Sequence, residues 1–294
     1  MMTRSLKLAV LMMFLSGLLS ACVSGGSQPP AADDSANAIA TGVAATLAAA
    51  DQAADLPSPT ETIEPAAPAA APEPDIVFHG ISFAYDHSLA ENINAEVIPE
   101  QADEGGPWWS TPETISFTFN GYTLPGAFLD ARIHVYSVAE FTAVNPTVGD
   151  RLTTLSDVLA VGDVNDDRIA MADIFNAAQF LRTKEAFLDF QNGSGVRFLA
   201  QYGQGFSAVG WPYLFYGFQG LTSDGQYFIS AIFPVNHPSL PNPDTVTIDE
   251  AFTENFESYI AENELSLAGQ PDDSFQPSLV TLDQLISSLL VESE

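Results

Sequence analysis

Basic residues are scarce: eight Lys and Arg stand against 38 Asp and Glu, a formal net charge of −30. A surface so acidic repels phosphate backbones and anionic lipid headgroups, which excludes nucleic acid as a partner. The imbalance comes more from missing lysine than from acidic blocks, so it reads as a general surface property. It fits saline or cation-rich surroundings, or plain solubility through self-repulsion. Cysteine occurs once, at Cys22, so no disulfide can form within the chain. The first apolar run, Leu8 to Leu19, is too short to span a bilayer comfortably. Signatures of catalysis are missing as well, with no Gly-x-Ser-x-Gly elbow and no His-Glu-x-x-His. Gln191-Asn192-Gly193-Ser194-Gly195 lacks the third glycine of a dinucleotide fingerprint and the lysine of a P-loop, so it reads as a turn entering a strand. The histidines, His79, His87, His134 and His237, are scattered without ligand spacing.

The N-terminus has the layout of a secretory signal: Arg4 and Lys7, the apolar run, then small residues. Leu19-Ser20-Ala21-Cys22 resembles the lipobox of bacterial lipoproteins. That resemblance implies a signal peptide over 1–21, cleavage before Cys22, and a diacylglyceryl group on its sulfur. Each buried methylene of an acyl chain contributes about 0.8 kcal/mol, so two or three chains hold a protein firmly where one is marginal. The expected location is the extracytoplasmic face of a cell membrane, with the membrane itself as a partner through the N-terminal lipid. An ordinary secretory signal with a chance cysteine is the alternative.

Residues 22–74 are mostly Ala, Pro, Ser, Gly and acid, with almost no aromatic side chain. Such a stretch cannot bury a core, and it reads as a disordered tether reaching roughly 40 Å. Within it, Ala36 to Leu56 has spacing for a transient helix. From 75 to 294 the aromatic content rises, and the length suits one domain with a substantial core.

Ile81 to Tyr85, Ile115 to Phe119 and Arg132 to Val138 alternate as half-buried strands do. Leu152, Leu155, Val158 and Leu159 recur at helical spacing, and Ile174, Ala178 and Leu181, with Phe175, predict a second helix. Val196 to Tyr202 reads as a strand. Tyr213 to Leu221 and Gln226 to Phe233 flank Thr222-Ser223-Asp224-Gly225, a hairpin signal, and their two apolar faces predict central strands covered on both sides. Gly217 predicts a close approach by another group. Thr247 with Glu250 makes a capping box for a helix carrying Phe252, Phe256, Tyr259 and Ile260. A last helix, opened by Pro277 and Ser278, runs from Leu279 to Leu290. Strands and helices do not alternate regularly, which favours an α+β domain with a mainly antiparallel sheet packed with helices.

Gly162 to Asp173 resembles the calcium loops of dockerins and EF-hand-like repeats, with Asp163, Asn165, Asp167 and Asp173 as the oxygen donors. The turn glycine is missing, the loop is one residue short, and Asp stands where an EF-hand closes with Glu. A solvated acidic loop capping a helix near Asp173 is the competing reading. Calcium is the only cofactor the residues suggest. Asp189 and Arg197 flank the glycine turn and are expected to form a structural ion pair, a ligand clamp being the alternative. Trp108 and Trp109, in a Gly-Pro-rich loop, are candidate binding residues. With Trp211, Tyr122, Tyr202 and Tyr213 they can form an aromatic platform of the kind that stacks on sugars, or simply anchor loops and core.

Asp189 to Leu199, Phe218 to Gly225, Phe233 to Pro238, and Pro277-Ser278-Leu279 to Ile286 together resemble a family of bacterial lipoproteins of unknown function with Ala/Pro-rich tethers. The resemblance implies a single domain and carries no activity. A tethered domain without a nucleophile, metal or cofactor signature is expected to be a non-enzymatic binding or interaction domain, for an envelope protein or a glycan. The alternative is an extracytoplasmic hydrolase of envelope polymers built on paired carboxylates. A third reading is a calcium-stabilised module.

Overall fold

The computed structural model describes residues 73–292 apart from 103–108, 165, 167 and 175. The signal, Cys22 and nearly all of the expected tether lie outside the described residues, as do Trp108, Asn165 and Asp167. In chain order the elements are β1 (Ile76–Phe78), β2 (Ile81–Phe83), β3 (Asn92–Ile98), β4 (Thr114–Asn120), β5 (Arg132–Ser137), α1 (Val138–Val144) and α2 (Pro146–Val161). Then follow β6 (Ala178–Phe190), β7 (Gly193–Gly203), β8 (Phe215–Thr222), β9 (Tyr227–Pro234), α3 (Glu250–Glu254), α4 (Phe256–Ala268), α5 (Leu279–Ser287) and β10 (Leu290–Val291). A seven-stranded sheet runs β3-β4-β5-β9-β8-β7-β6, and a three-stranded sheet runs β1-β2-β10. Neighbouring strands in both are antiparallel, so the class is α+β. Among the described residues no helix is long and apolar enough to cross a membrane.

The large sheet is covered on both faces, and its central strands show why. In β8 and β9, Phe215, Phe228 and Ile232 join the cluster made with Phe141 of α1 and Leu152, Leu155 and Val158 of α2. Their neighbours Tyr216, Phe218, Ile229, Ala231 and Phe233 point the other way, into the larger core with Phe83, Leu282, Leu285 and Ile286. Alternating apolar residues on both faces are what a doubly covered strand requires. Gly217 sits where Met171 crosses the sheet; a Cβ there would stand 3.2 Å from the Met171 sulfur and 3.3 Å from the Phe198 ring. The β8–β9 turn closes as expected, Asp224 Oδ1 accepting from the Thr222 hydroxyl at 2.6 Å and from the Gln226 N–H at 3.0 Å.

Helix α2 begins with Pro146 after Asn145, whose side chain accepts from the Val148 N–H, and ends at Gly162 in the left-handed region, φ 77°. In α5, Leu279, Leu282, Leu285 and Ile286 form the buried stripe. The helix stops at Ser287, short of the expected Leu290. Ser288 Oγ donates to the Leu285 carbonyl, and Asn192 Oδ1 accepts from the Val291 N–H at 3.1 Å, turning the chain into β10 beside β2. Asp249, and not Thr247, caps α3, accepting from the Phe252 N–H at 2.9 Å.

The second helix expected around Ile174 to Leu181 is not formed. Residues 169–174 have no helical turn, and β6 begins at Ala178. The polar groups that would close a helix are used across the chain. Arg151 Nη1 donates to the carbonyls of Met171, Ala172 and Ile174, and Tyr202 Oη accepts from the Met171 N–H at 2.8 Å. Gln219 brackets the same segment, accepting from the Ala172 N–H and donating to the Ala170 carbonyl.

Candidate functional site

After β7 the chain loops through 204–214 before entering β8. Buried Gln201 fixes the course of this loop. Its Nε2 donates to the Ala208 carbonyl at 2.8 Å and its Oε1 accepts from the Gly210 N–H at 3.0 Å. Tyr259 of α4 adds a third tie, accepting from the Val209 N–H at 2.9 Å. Gln204 Nε2 donates to the Asn176 carbonyl at 2.9 Å, fastening the loop to the segment before β6. Facing the loop, the Phe128 N–H donates to the Pro212 carbonyl at 3.0 Å. That bond sets the Phe128 ring 5.6 Å from the Tyr213 ring, tilted by 52°. A loop tied at this many points presents its side chains in set positions, as a preorganised site requires.

These elements enclose a cavity of about 520 Å³ whose aromatic lining is Phe128, Tyr213, Phe206, Tyr202 and Phe215. Tyr202 stacks on Phe215, centroids 5.9 Å apart. Burial raises its phenol above the ordinary range, and its hydroxyl donates to Gln179 Oε1 at 2.6 Å. The other rings face water: Phe128 is 71%, Phe206 52% and Tyr213 38% exposed. A second cavity of about 660 Å³ shares Asn176, Ala177 and Gly203 to Phe206 with the first and continues to Phe180 and Phe256. The Phe206 and Phe256 rings meet edge to face at 4.9 Å. None of the described residues lining either cavity is charged. The cleft has the size and the mostly apolar lining of a small-ligand site, with Asn176, Gln204, Ser207 and the Tyr213 hydroxyl as neutral polar groups.

Of the aromatic set named from sequence, Tyr202 and Tyr213 line this cleft. Tyr122 is buried, its hydroxyl donating to the Pro234 carbonyl at 3.1 Å. Trp109 is 40% exposed and lines neither cavity. Phe128, Phe206, Phe180 and Phe256 were missed. Phe128 and Phe206 follow glycines in loops, Gly126-Ala127-Phe128 and Gly205-Phe206, and that placement was the available signal.

Of the proposed calcium donors, Asp163 and Asp173 are among the described residues. Asp163 is exposed just past the end of α2, and Asp173 turns to the sheet, its Oδ2 accepting from the Tyr136 hydroxyl at 3.3 Å. Asp166 takes Arg168, whose hydrogen bonds hold that carboxyl below the usual carboxylate range. Among the described residues no group of three or more His, Cys, Asp or Glu is placed to hold a metal ion. The histidines stay apart: His87 pairs with Asp75, His134 meets Tyr136 at 2.9 Å, His237 bonds Ser239 and Ser274, and His79 packs on Phe78.

Asp189 and Arg197 do not pair. The β6–β7 register sets Asp189 opposite Ser194 and Arg197 opposite Ala186, leaving Asp189 exposed. Arg197 turns instead to Asp272 at 2.6 Å and Asp283 at 3.5 Å, and Lys184 joins Asp272 at 2.6 Å. Asp283 also reaches the surface, lining with Asp86 a cavity of about 630 Å³ between α5 and the loop after β2. Burial raises the Asp283 carboxyl, against the pull of Arg197 and of the Tyr216 hydroxyl, which donates to it at 2.9 Å. Hydrogen bonds from Ser88 lower Asp86.

No family model, curated protein or solved structure matches the chain.

Proposed function

We propose that the chain is a lipoprotein of the family it resembles, cut before Cys22 and held by lipid at the extracytoplasmic face of a cell membrane. Its domain is a non-enzymatic binding module that recognises another component of the envelope. The observation that carries this reading is the cleft, where Phe128, Tyr213 and Phe206 keep apolar rings in water around a preorganised cavity. Exposed aromatic rings of this kind mark binding sites more often than they serve a free monomer. The test is retention on isolated envelope material of the chain carrying Cys22→Ser, which lacks the lipid, beside the same chain carrying Phe128→Ala and Tyr213→Ala as well. Retention that depends on the two rings supports the reading, and equal retention of both proteins sinks it. Lipid attachment is tested separately: a radiolabelled fatty acid should mark the chain and be lost in Cys22→Ser.

A second reading, hydrolysis of envelope polymers, is favoured by the cavity that holds Asp86 and Asp283. Their surroundings push protonation in opposite directions, as an acid and a carboxylate partner need. Turnover of purified envelope polymer that Asp283→Asn abolishes would support it. Turnover unchanged in that variant would rule this cavity out.

A further inference from the structure

We infer that the aromatic cleft takes an uncharged glycan, one sugar ring resting on Phe128 and Tyr213 and the chain continuing past Gln204 toward Phe206 and Phe256. The inference rests on the cleft being the ligand site, and it names the chemistry of the ligand.

Charge is the first argument. A molecule with a net charge of −30 shows no charged group among the described residues lining either cavity. A charged ligand desolvated there would find no counter-ion, and an anion would also meet the field of the whole surface. The second argument is the mixture of groups. A pyranose ring offers an apolar C–H face and an edge of hydroxyls. The cleft answers with ring faces at Phe128, Tyr213 and Phe206 and with the neutral amides of Asn176 and Gln204. Gln204 Nε2 is already used by the Asn176 carbonyl, but an acyl chain would still set the Gln204 Oε1 and the Asn176 side-chain amide against hydrocarbon, which carries a desolvation penalty. Shape is the third. The two cavities share the wall formed by Asn176, Ala177 and Gly203 to Phe206, and rings stand on both sides of it, Phe128 with Tyr213 and Phe180 with Phe256. Aromatic surfaces on both sides of a shared wall suit a chain of rings better than a single one.

The experiment uses the full chain in lipid nanodiscs, titrated calorimetrically with maltotetraose, cellotetraose and chitotetraose. Choline, a uronic-acid tetramer and a proline-rich peptide are run in parallel. At least one neutral tetrasaccharide should bind, more tightly than its own monosaccharide. Phe128→Ala or Tyr213→Ala should each weaken it about tenfold or more, with the melting temperature unchanged because both rings are exposed. Binding of choline, the uronic-acid tetramer or the peptide in a ring-dependent way, without any neutral sugar, would overturn the glycan assignment and leave the cleft as the ligand site. Absence of binding by every probe, or binding indifferent to both variants, would overturn the glycan assignment and count against the cleft itself.

Discussion

Phe128 and Tyr213 stay in water although each could bury a large apolar area, and nothing in the packing of the sheet needs them there. Other single residues are confined by their neighbours. A Cβ on Gly195 would stand 2.4 Å from the Gln219 carbonyl oxygen on the next strand and 2.5 Å from the Phe218 ring. Gly195→Ala should therefore cost about 2 kcal/mol, measurable by urea unfolding. His134 is a second case. Tyr136 gives its proton to Asp173, so His134 must offer Nδ1–H to the Tyr136 oxygen 2.9 Å away. Burial and the Arg132 charge push its pKa down to about 4, Asp173 opposing them. The unfolded chain then takes up a proton below its ordinary value of about 6.5 while the folded one does not, so stability falls as pH drops from 6.5 toward 4. The loss should approach about 3 kcal/mol only once the pH is below about 4 and the folded state is protonated too. Between about pH 6.5 and 5, above the carboxylate range, His134→Gln should flatten that slope in denaturant titrations.

At the scale of elements, the ion pairs around Asp272 hold the segment before α5 against β7 and β6. Arg197 reaches it at 2.6 Å and Lys184 at 2.6 Å, and Arg197 also donates to the Lys184 carbonyl at 2.8 Å. Removing one member of a buried ionic group leaves the others uncompensated. Arg197→Met is expected to lower stability by about 3 kcal/mol and to raise amide exchange over 270–277 before the sheet opens. The sequence-based helix at 174–181 fails at this same scale. Ile174 packs on one face of the large sheet, Leu181 is buried in the core on the other, and Ala178 between them is exposed. Their spacing matches a helix, but they serve no common face. Helices α2 and α5 were legible because each stripe does meet one core.

For the whole molecule, the net charge of −30 means that folding gathers like charges together. Raising sodium chloride from roughly 20 to 500 mM, which shortens the screening length severalfold, should raise the melting temperature, and calcium at matched ionic strength should add nothing beyond screening. A calcium-specific rise that Asp163→Ala removes would restore the acidic loop as a metal site. The proposed address is a whole-chain property as well: on the lipoprotein reading, Cys22→Ser should lose the acyl label and, with it, the lipid-dependent part of membrane association.

Short-range pattern decided much of the architecture. The two apolar faces of β8 and β9, the Asp224-Gly225 turn and the α2 and α5 stripes were all readable, because each depends on residues a few positions apart. Strands β1 and β3 were not read at all, being short or exposed on alternate residues and so poor in apolar signal. The partners of Arg197 and Asp173, the fate of residues 174–181, and the cleft between Phe128 and Tyr213 were decided only by tertiary structure. Arg197 meets Asp272 across 75 positions and Asp173 meets Tyr136 across 37. Such meetings follow from strand register and loop ties, which periodicity does not encode.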